Sequence, residues 1–356
     1  MDRSVAPYLI GQAARLIAKI TETTLPYDNW YPWAHRAYRT GIDLIREHRF
    51  DLIWSTAPPL SGLHLAYRLG KVGRIPVVVD FRDVRRSSVA RQTRAQKRFS
   101  RLEKQIVEGC AGITYAAPVQ IDALHDQYPR SQSIRSRLIY NWIDDSEDFN
   151  SVPDTNCPTI LYGGILYGGA RRIDGFISAL KRIQTECEYQ KKPFLFRFLG
   201  FDSELSLLRS RVTAEGLEDV VSLEAAVPNS EFKRLCRQAS VLLVVIGHNQ
   251  GSIEHAGAIP AKVYEYFAAK RPILVIGPRD CEAGRIVERV RRGVFVPDDA
   301  PEAIAQALLR LLSNGASSQV VDLRDEAVRV FTKDYILPQI VTFFDDMIGG
   351  HEPSQK

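Results

Sequence analysis

Two successive series of short Val- and Ile-rich runs, separated by longer stretches with apolar residues at three- and four-residue spacing, constrain this chain most. The first series is Asp51-Leu-Ile-Trp-Ser55, Ile75-Pro-Val-Val-Val-Asp80, Gly112-Ile-Thr-Tyr-Ala116 and Arg137-Leu-Ile-Tyr-Asn141. The second is Thr159-Ile-Leu-Tyr162, Phe194 to Gly200, Val220-Val-Ser-Leu223, Val241 to Ile246 and Ile273-Leu-Val-Ile-Gly277. Runs apolar on both faces suit parallel strands covered by helices on either side. Stretches such as Trp33 to Arg49 and Arg94 to Cys110 carry the spacing of covering helices. The alternation predicts an α/β fold with two Rossmann-like parallel sheets. The polar, Pro-containing stretch Asp144 to Pro158 divides the series, and 356 residues at about 150 per domain also give two domains. We expect an N-terminal domain over 1–150 and a C-terminal domain over 151–335. A last helix and tail over 336–356 would return to the first domain, and ligands favour a cleft between two such domains.

Composition excludes several classes. Hydrophobic residues at 45% and charged residues at 25% fit a globular chain and not a disordered or fibrous one. The five cysteines are dispersed without a C-x-x-C pair, so they read as reduced and structural, and no metal is expected. Near the start, Gln12, Arg15 and Lys19 interrupt the apolar run Val5 to Gly11 before it reaches signal-peptide or membrane-span length. The expected location is cytoplasmic, with peripheral attachment to the inner membrane face as an option.

The net charge of +5 is mild, but it is unevenly placed: Val84 to Lys104 holds eight basic residues and the single acid Glu103. Val89, Phe99, Leu102 and Ile106 interleave with those charges, a pattern compatible with an amphipathic element on an anionic membrane and equally with a solvated basic helix. No nucleic-acid motif accompanies the segment, so a nucleic-acid partner is not expected.

Two segments have the chemistry of an anion site. Tyr162-Gly-Gly-Ile-Leu-Tyr-Gly-Gly-Ala-Arg-Arg172 follows a strand and precedes a helix. Its glycines Gly163 and Gly164 can bring backbone N–H groups close to a phosphate, and Arg171 and Arg172 add charge. The spacing matches neither the dinucleotide fingerprint nor the P-loop. Downstream, Ile259-Pro-Ala-Lys-Val-Tyr-Glu-Tyr-Phe-Ala-Ala-Lys-Arg-Pro272 reads as a helix with Pro260 in its first turn. Lys262 then opposes the positive end of the helix dipole unless a diphosphate sits there. Glu265 shares its face and can accept ribose hydroxyls; an exposed Lys262–Glu265 ion pair is the plainer alternative.

The loop Gly247 to Ala258 opens from a buried strand at the end where α/β sheets bind ligands, and His248, Glu254 and His255 could reach a sugar or simply be solvated. In the first half, Asp80-Phe-Arg-Asp83 ends a strand, and Arg82 and Asp83 are expected either in the cleft or as a local ion pair.

In order along most of the chain, Asp51 to His64, Asp80 to Asp83, Leu138-Ile-Tyr-Asn-Trp-Ile-Asp144, Gly163 to Arg172 and Pro260 to Pro272 resemble family 4 glycosyltransferases of the GT-B fold, in the branch that builds bacterial surface polysaccharides. The resemblance implies retaining, metal-independent transfer from a nucleotide sugar bound by the C-terminal domain, with no resident cofactor. The acceptor, lipid-linked or a saccharide, would lie on the N-terminal domain. It also implies that Gly163, Gly164, Arg171, Arg172 and Lys262 hold the donor diphosphate, Glu265 the ribose, and Arg82 with Asp83 lie by the transferring sugar, while Glu254 in the loop is a candidate to stand in for the family's first glutamate.

Two departures accompany the resemblance. The family's first glutamate, eight positions before Glu265, falls on Gly257. The family's opening strand and glycine loop are missing ahead of Tyr31-Pro-Trp33, which would leave an abbreviated N-terminal domain with a sheet edge for a protein partner to cover. A non-catalytic, partner-dependent homologue and a nucleotide-sugar epimerase on the same architecture therefore stand as alternatives.

Overall fold

The computed structural model describes residues 28, 30–83, 94–143, 157–167, 171–187, 193–247, 256–297, 299–314 and 325–349. The chain forms two compact units, one of residues 1–139 with 338–356 and the other of residues 140–337. The division falls at Ile139, ahead of the polar stretch. The reason is local: Ile143 already donates its N–H to the Phe331 carbonyl at 2.7 Å, inside the second unit.

In the first unit, helix α1 (Tyr31–Glu47) precedes β1 (Ile53–Ala57), α2 (Leu60–Gly73), β2 (Val77–Phe81), α3 (Arg94–Gly109), β3 (Gly112–Tyr115), α4 (Pro118–Gln127) and β4 (Ser136–Leu138). The four strands form a parallel sheet in the order β1-β2-β3-β4. Asp28 caps the start of α2, its carboxylate accepting the Ser61 N–H at 2.9 Å and the Ser61 hydroxyl at 2.5 Å. The core on one face of the sheet comprises Leu63, Val79, Ile106, Val107, Ile113 and Tyr115. The basic helix α3 thus spends Leu102 and Ile106 on its own sheet, while Lys97, Arg98, Arg101 and Lys104 are exposed. Leu102 and Ile106 are therefore not available to a lipid phase, and the face of α3 left to solvent among the described side chains is basic. Residues 84–93 of the basic segment lie outside the described residues.

On the opposite face of this sheet, Phe343 and Met347 of the last helix α11 (Lys333–Gly349) pack against Val78. Gly112 is required there, since a Cβ would press on Met347 and Phe343. Among the described residues β1 and β4 are the edge strands, and Trp54 of β1 is in edge contact with Phe344 at 5.5 Å.

The second unit runs β5 (Thr159–Gly163), α5 (Asp174–Cys187), β6 (Leu195–Gly200), α6 (Asp202–Glu215), β7 (Val221–Ala225), α7 (Asn229–Gln238) and β8 (Val241–Val245). It continues through α8 (Ala261–Ala269), β9 (Ile273–Gly277), α9 (Glu282–Arg289), β10 (Gly293–Pro297) and α10 (Pro301–Asn314). All pairings are parallel, in the order β10-β9-β8-β5-β6-β7. This is the doubly wound order in which the chain reverses direction across the sheet between β5 and β8. Two apolar clusters cover the two faces: Phe176, Phe196, Phe198, Leu243 and Leu308 on one, Leu242, Val244, Tyr266, Phe267 and Phe331 on the other. The strand β10 is an addition to the nine expected from the sequence.

No helix among the described residues is long and apolar enough to cross a membrane. Cys110, Cys157, Cys236 and Cys281 are free thiols.

Candidate functional site

The reversal of strand order brings together the carboxyl ends of β5 and β8, the place where doubly wound sheets bind ligands. The residues after β5 form the glycine loop, and α8 begins beside it. Pro260 stands at the N-cap of α8 with no side-chain hydrogen bond to the first turn. The Val263 N–H is satisfied by the Pro260 carbonyl at 2.9 Å. Among the described residues, the helix start therefore offers its first amides and its positive dipole end without a side-chain cap.

Lys262 lies in that first turn, and its ammonium donates to the Gly163 carbonyl at 2.7 Å. It also sits 4.4 Å from the centre of the Tyr162 ring. That ring is fully buried and stacks on Phe198 at 5.1 Å. A cation over an aromatic face is attracted by the ring quadrupole but stays poor in water contacts. Burial, followed by the charge of Arg171, brings the Lys262 amine down to about 7, against an opposing pull from Glu265. The surface Lys262–Glu265 ion pair does not form; Lys262 turns to Gly163, and Glu265 accepts from the Asn229 amide at 3.4 Å.

The loop's two described glycines have distinct steric reasons. A Cβ on Gly163 would run into the Phe232 ring of α7, and one on Gly164 would stand 2.6 Å from the Lys262 ammonium. Gly164 also has φ +142, a conformation L side chains avoid. The glycines thus make room for Lys262 and α7.

Among the described residues, four loop amides are committed within the chain, those of Gly164, Leu166, Tyr167 and Arg171. Gly164 N–H donates to the Leu199 carbonyl at 3.0 Å and Arg171 N–H to the Leu166 carbonyl at 3.1 Å. Leu166 and Tyr167 N–H donate to the Glu204 carboxylate at 2.7 Å and 3.2 Å. The positive charge at the site comes instead from side chains. Arg171 packs over Tyr167 at 4.7 Å and donates to the Ile165 carbonyl at 3.1 Å, while Arg172 is exposed. Lys262, Arg171 and the open helix start converge; Glu265 follows on the same helix.

In the first unit, the structure corrects the reading of Arg82. Its Nε donates to Asp80 at 2.6 Å and its Nη1 to the Ile139 carbonyl at 2.9 Å. Asp80 is 1% exposed and also accepts from Thr56 at 3.1 Å and Thr114 at 2.6 Å. A carboxylate this deep needs a cation and hydrogen bonds, and Arg82 answers that need. The local Arg82–Asp83 ion pair is replaced by Arg82–Asp80, and Asp83 is exposed just beyond β2. It stands on the wall of a pocket within this unit lined also by Ala57, Leu60, Phe81, Glu103 and Tyr115. Glu254, with His248 and His255, lies outside the described residues. Among the described residues there is no metal-binding cluster of His, Cys, Asp and Glu. Sequence reasoning missed Glu204, whose only local signal is an acid in the first turn of a helix, a common dipole feature.

Comparison with solved structures settles the architecture. The chain superposes on sucrose-phosphate synthase from Thermosynechococcus elongatus with a TM-score of 0.67 at 14% identity, covering 90% of this chain and 80% of that one. The fold is GT-B. A second GT-B structure, Anabaena HepE in complex with UDP, gives a TM-score of 0.62 at 14% identity, with 88% and 82% covered. A third, the lipopolysaccharide outer core galactosyltransferase WaaB in its apo form, gives 0.60 at 12% identity, with 88% and 79% covered. Residues 157–314, nearly the whole sheet of the second unit, match the family model described as Glycosyl transferases group 1. No curated protein sequence matches the chain.

Proposed function

We propose that the chain is a glycosyltransferase that takes its sugar from a nucleoside-diphosphate donor held at the β5–β8 reversal. One observation carries the reading: a half-buried lysine, Lys262, in the first turn of α8, whose N-cap Pro260 supplies no side-chain cap, supported by Gly163 and Tyr162. A cation at that helix end is unfavourable by itself and becomes favourable when a diphosphate joins it. The glycosyl transferases group 1 match over the same residues and the UDP in the HepE structure support the choice of ligand.

In this reading Lys262, Arg171 and Arg172 bind the diphosphate and Glu265 accepts the ribose hydroxyls. As the bond from the sugar's anomeric carbon to the diphosphate breaks, the leaving group keeps the electron pair and its negative charge grows. Fixed cations and a helix N-terminus then stabilise the transition state more than the ground state. The acceptor hydroxyl bonds to the anomeric carbon on the face the diphosphate leaves, which keeps the configuration, and its proton passes to the departing phosphate oxygen. These cations need neither a protein-bound metal nor a covalent nucleophile, in keeping with a retaining reaction.

The acceptor side belongs to the first unit, where Asp83 borders a pocket that mixes apolar walls (Leu60, Phe81) with the polar Glu103 and Gln120. The exposed basic face of α3 suits an anionic membrane surface and hence a lipid-linked acceptor in polysaccharide assembly. Incubation of the purified chain with UDP-glucose and candidate lipid-linked acceptors should release UDP in step with acceptor glycosylation. Isomerised donor without acceptor would identify an epimerase, and no turnover of any nucleotide sugar would overturn the enzymatic reading.

A further inference from the structure

We infer that Glu204 is the positioning residue of the donor loop: from the first turn of α6 it fixes the loop in the shape that lets Arg171 and Lys262 meet a diphosphate. The inference rests on the donor-site reading above and extends it to a residue that would not touch the ligand. One carboxylate oxygen accepts two successive amides, Leu166 at 2.7 Å and Tyr167 at 3.2 Å. The residue is 4% exposed, and its second oxygen is buried without a hydrogen-bond partner among the described residues.

A buried carboxylate with one bare oxygen is a poor device for stability alone, because the lost hydration is only half replaced. What it does achieve is geometry. Tyr167 is held at φ +53, a left-handed conformation that a bulky side chain keeps only when its surroundings impose it. Between the clamped amides and β5 lies the Ile165 carbonyl, which receives both the Arg171 guanidinium at 3.1 Å and the Tyr162 hydroxyl at 3.3 Å. Releasing the Leu166 and Tyr167 amides would therefore free the carbonyl that anchors Arg171. The same tyrosine ring lies beneath Lys262.

The test compares full-length wild type, Glu204→Ala and Glu204→Gln in amide hydrogen exchange, and in calorimetry with inorganic pyrophosphate and with UDP. Glutamine keeps a carbonyl acceptor; alanine removes it. For alanine, exchange at Leu166 and Tyr167 should accelerate at least about tenfold, with β6 still protected, and pyrophosphate should bind at least about tenfold more weakly. Glutamine should stay within about threefold of wild type in both. Should the alanine variant fail to fold, Glu204→Asp, which keeps the charge but shortens the reach, must show the same local acceleration. Unchanged loop exchange in the alanine or aspartate variant overturns the clamp, as does equal loss in alanine and glutamine. If wild type binds neither pyrophosphate nor UDP, the donor-site reading falls, and the exchange rates still decide whether Glu204 orders the loop.

Discussion

The Lys262 ammonium lies 2.7 Å from the carbonyl oxygen of Gly163, ninety-nine residues earlier in the chain. This bond ties the first turn of α8 to the end of β5 across the reversal of strand order. It holds a cation where the helix dipole opposes one, with an aromatic ring beneath and little water around it.

That environment makes ligand binding pH-dependent. The folded, ligand-free amine titrates at about 7, below its ordinary 10.5. Between these values the unfolded chain holds a proton that the folded chain has released, so the Lys262 contribution to stability rises with pH across this window. Below it, the cost of the buried charge is fully present. Diphosphate binding reverses the preference by favouring the ammonium. Above pH 7 binding should take up close to one proton, with affinity falling about tenfold per pH unit. Calorimetry at pH 8 in buffers of different ionisation enthalpy measures the uptake, and Lys262→Met should abolish it.

Gly164→Ala should damage the site through geometry alone. The new methyl group would stand 2.6 Å from the Lys262 ammonium at a residue with φ +142. The strain should cost about 1–3 kcal/mol of stability. Diphosphate affinity should fall as Lys262 is displaced. Urea denaturation midpoints and pyrophosphate titration read the two effects separately.

Arg82 should prove structural. Asp80→Ala leaves the Arg82 guanidinium, the Thr56 and Thr114 hydroxyls without their common acceptor, and breaking such a buried pair costs about 3–5 kcal/mol. Replacing both residues with apolar side chains, Asp80→Leu with Arg82→Met, should recover much of that loss. Thermal unfolding of the single and double variants measures the coupling. Sugar transfer that is lost in the well-folded double variant would restore a catalytic role to Arg82.

The basic face of α3 should hold the chain on anionic bilayers. Replacing Lys97, Arg98 and Arg101 with glutamine removes three exposed charges, each contributing about 1 kcal/mol near acidic lipid. Partitioning onto phosphatidylglycerol vesicles should fall about a hundredfold, while neutral vesicles bind neither form. Sedimentation at several salt concentrations supplies the measurement.

Patterns within a few residues were the readable part of this sequence. Nine apolar runs became strands, and the central ones, such as Val77 to Phe81 and Val241 to Val245, are buried on both faces, which leaves a local signature. The tenth strand, Gly293 to Pro297, follows Arg291 and Arg292, ends on proline and sits at the sheet edge, so its signature is weak. Lys262 and the glycine loop stood out because each is a compact motif. Glu204 did not, since its partners lie 38 and 37 residues away and only the fold reveals the meeting. The pairing of Arg82 was legible in principle: residues two apart on a strand share a face, which favours Asp80 over the adjacent Asp83. In the basic helix, periodicity alone did not say whether Leu102 and Ile106 would face a sheet or a lipid phase, and the fold places both on the sheet.

The central claim is that the β5–β8 reversal binds a nucleoside diphosphate through Lys262. Calorimetry of the wild type and Lys262→Ala at pH 6.5 against UDP, GDP, ADP and CMP tests it most directly. The account predicts that one diphosphate binds the wild type, and that the alanine variant loses the binding while unfolding at the same or a higher temperature. Equal binding by both folded proteins, or none of the four binding the folded wild type, would contradict it.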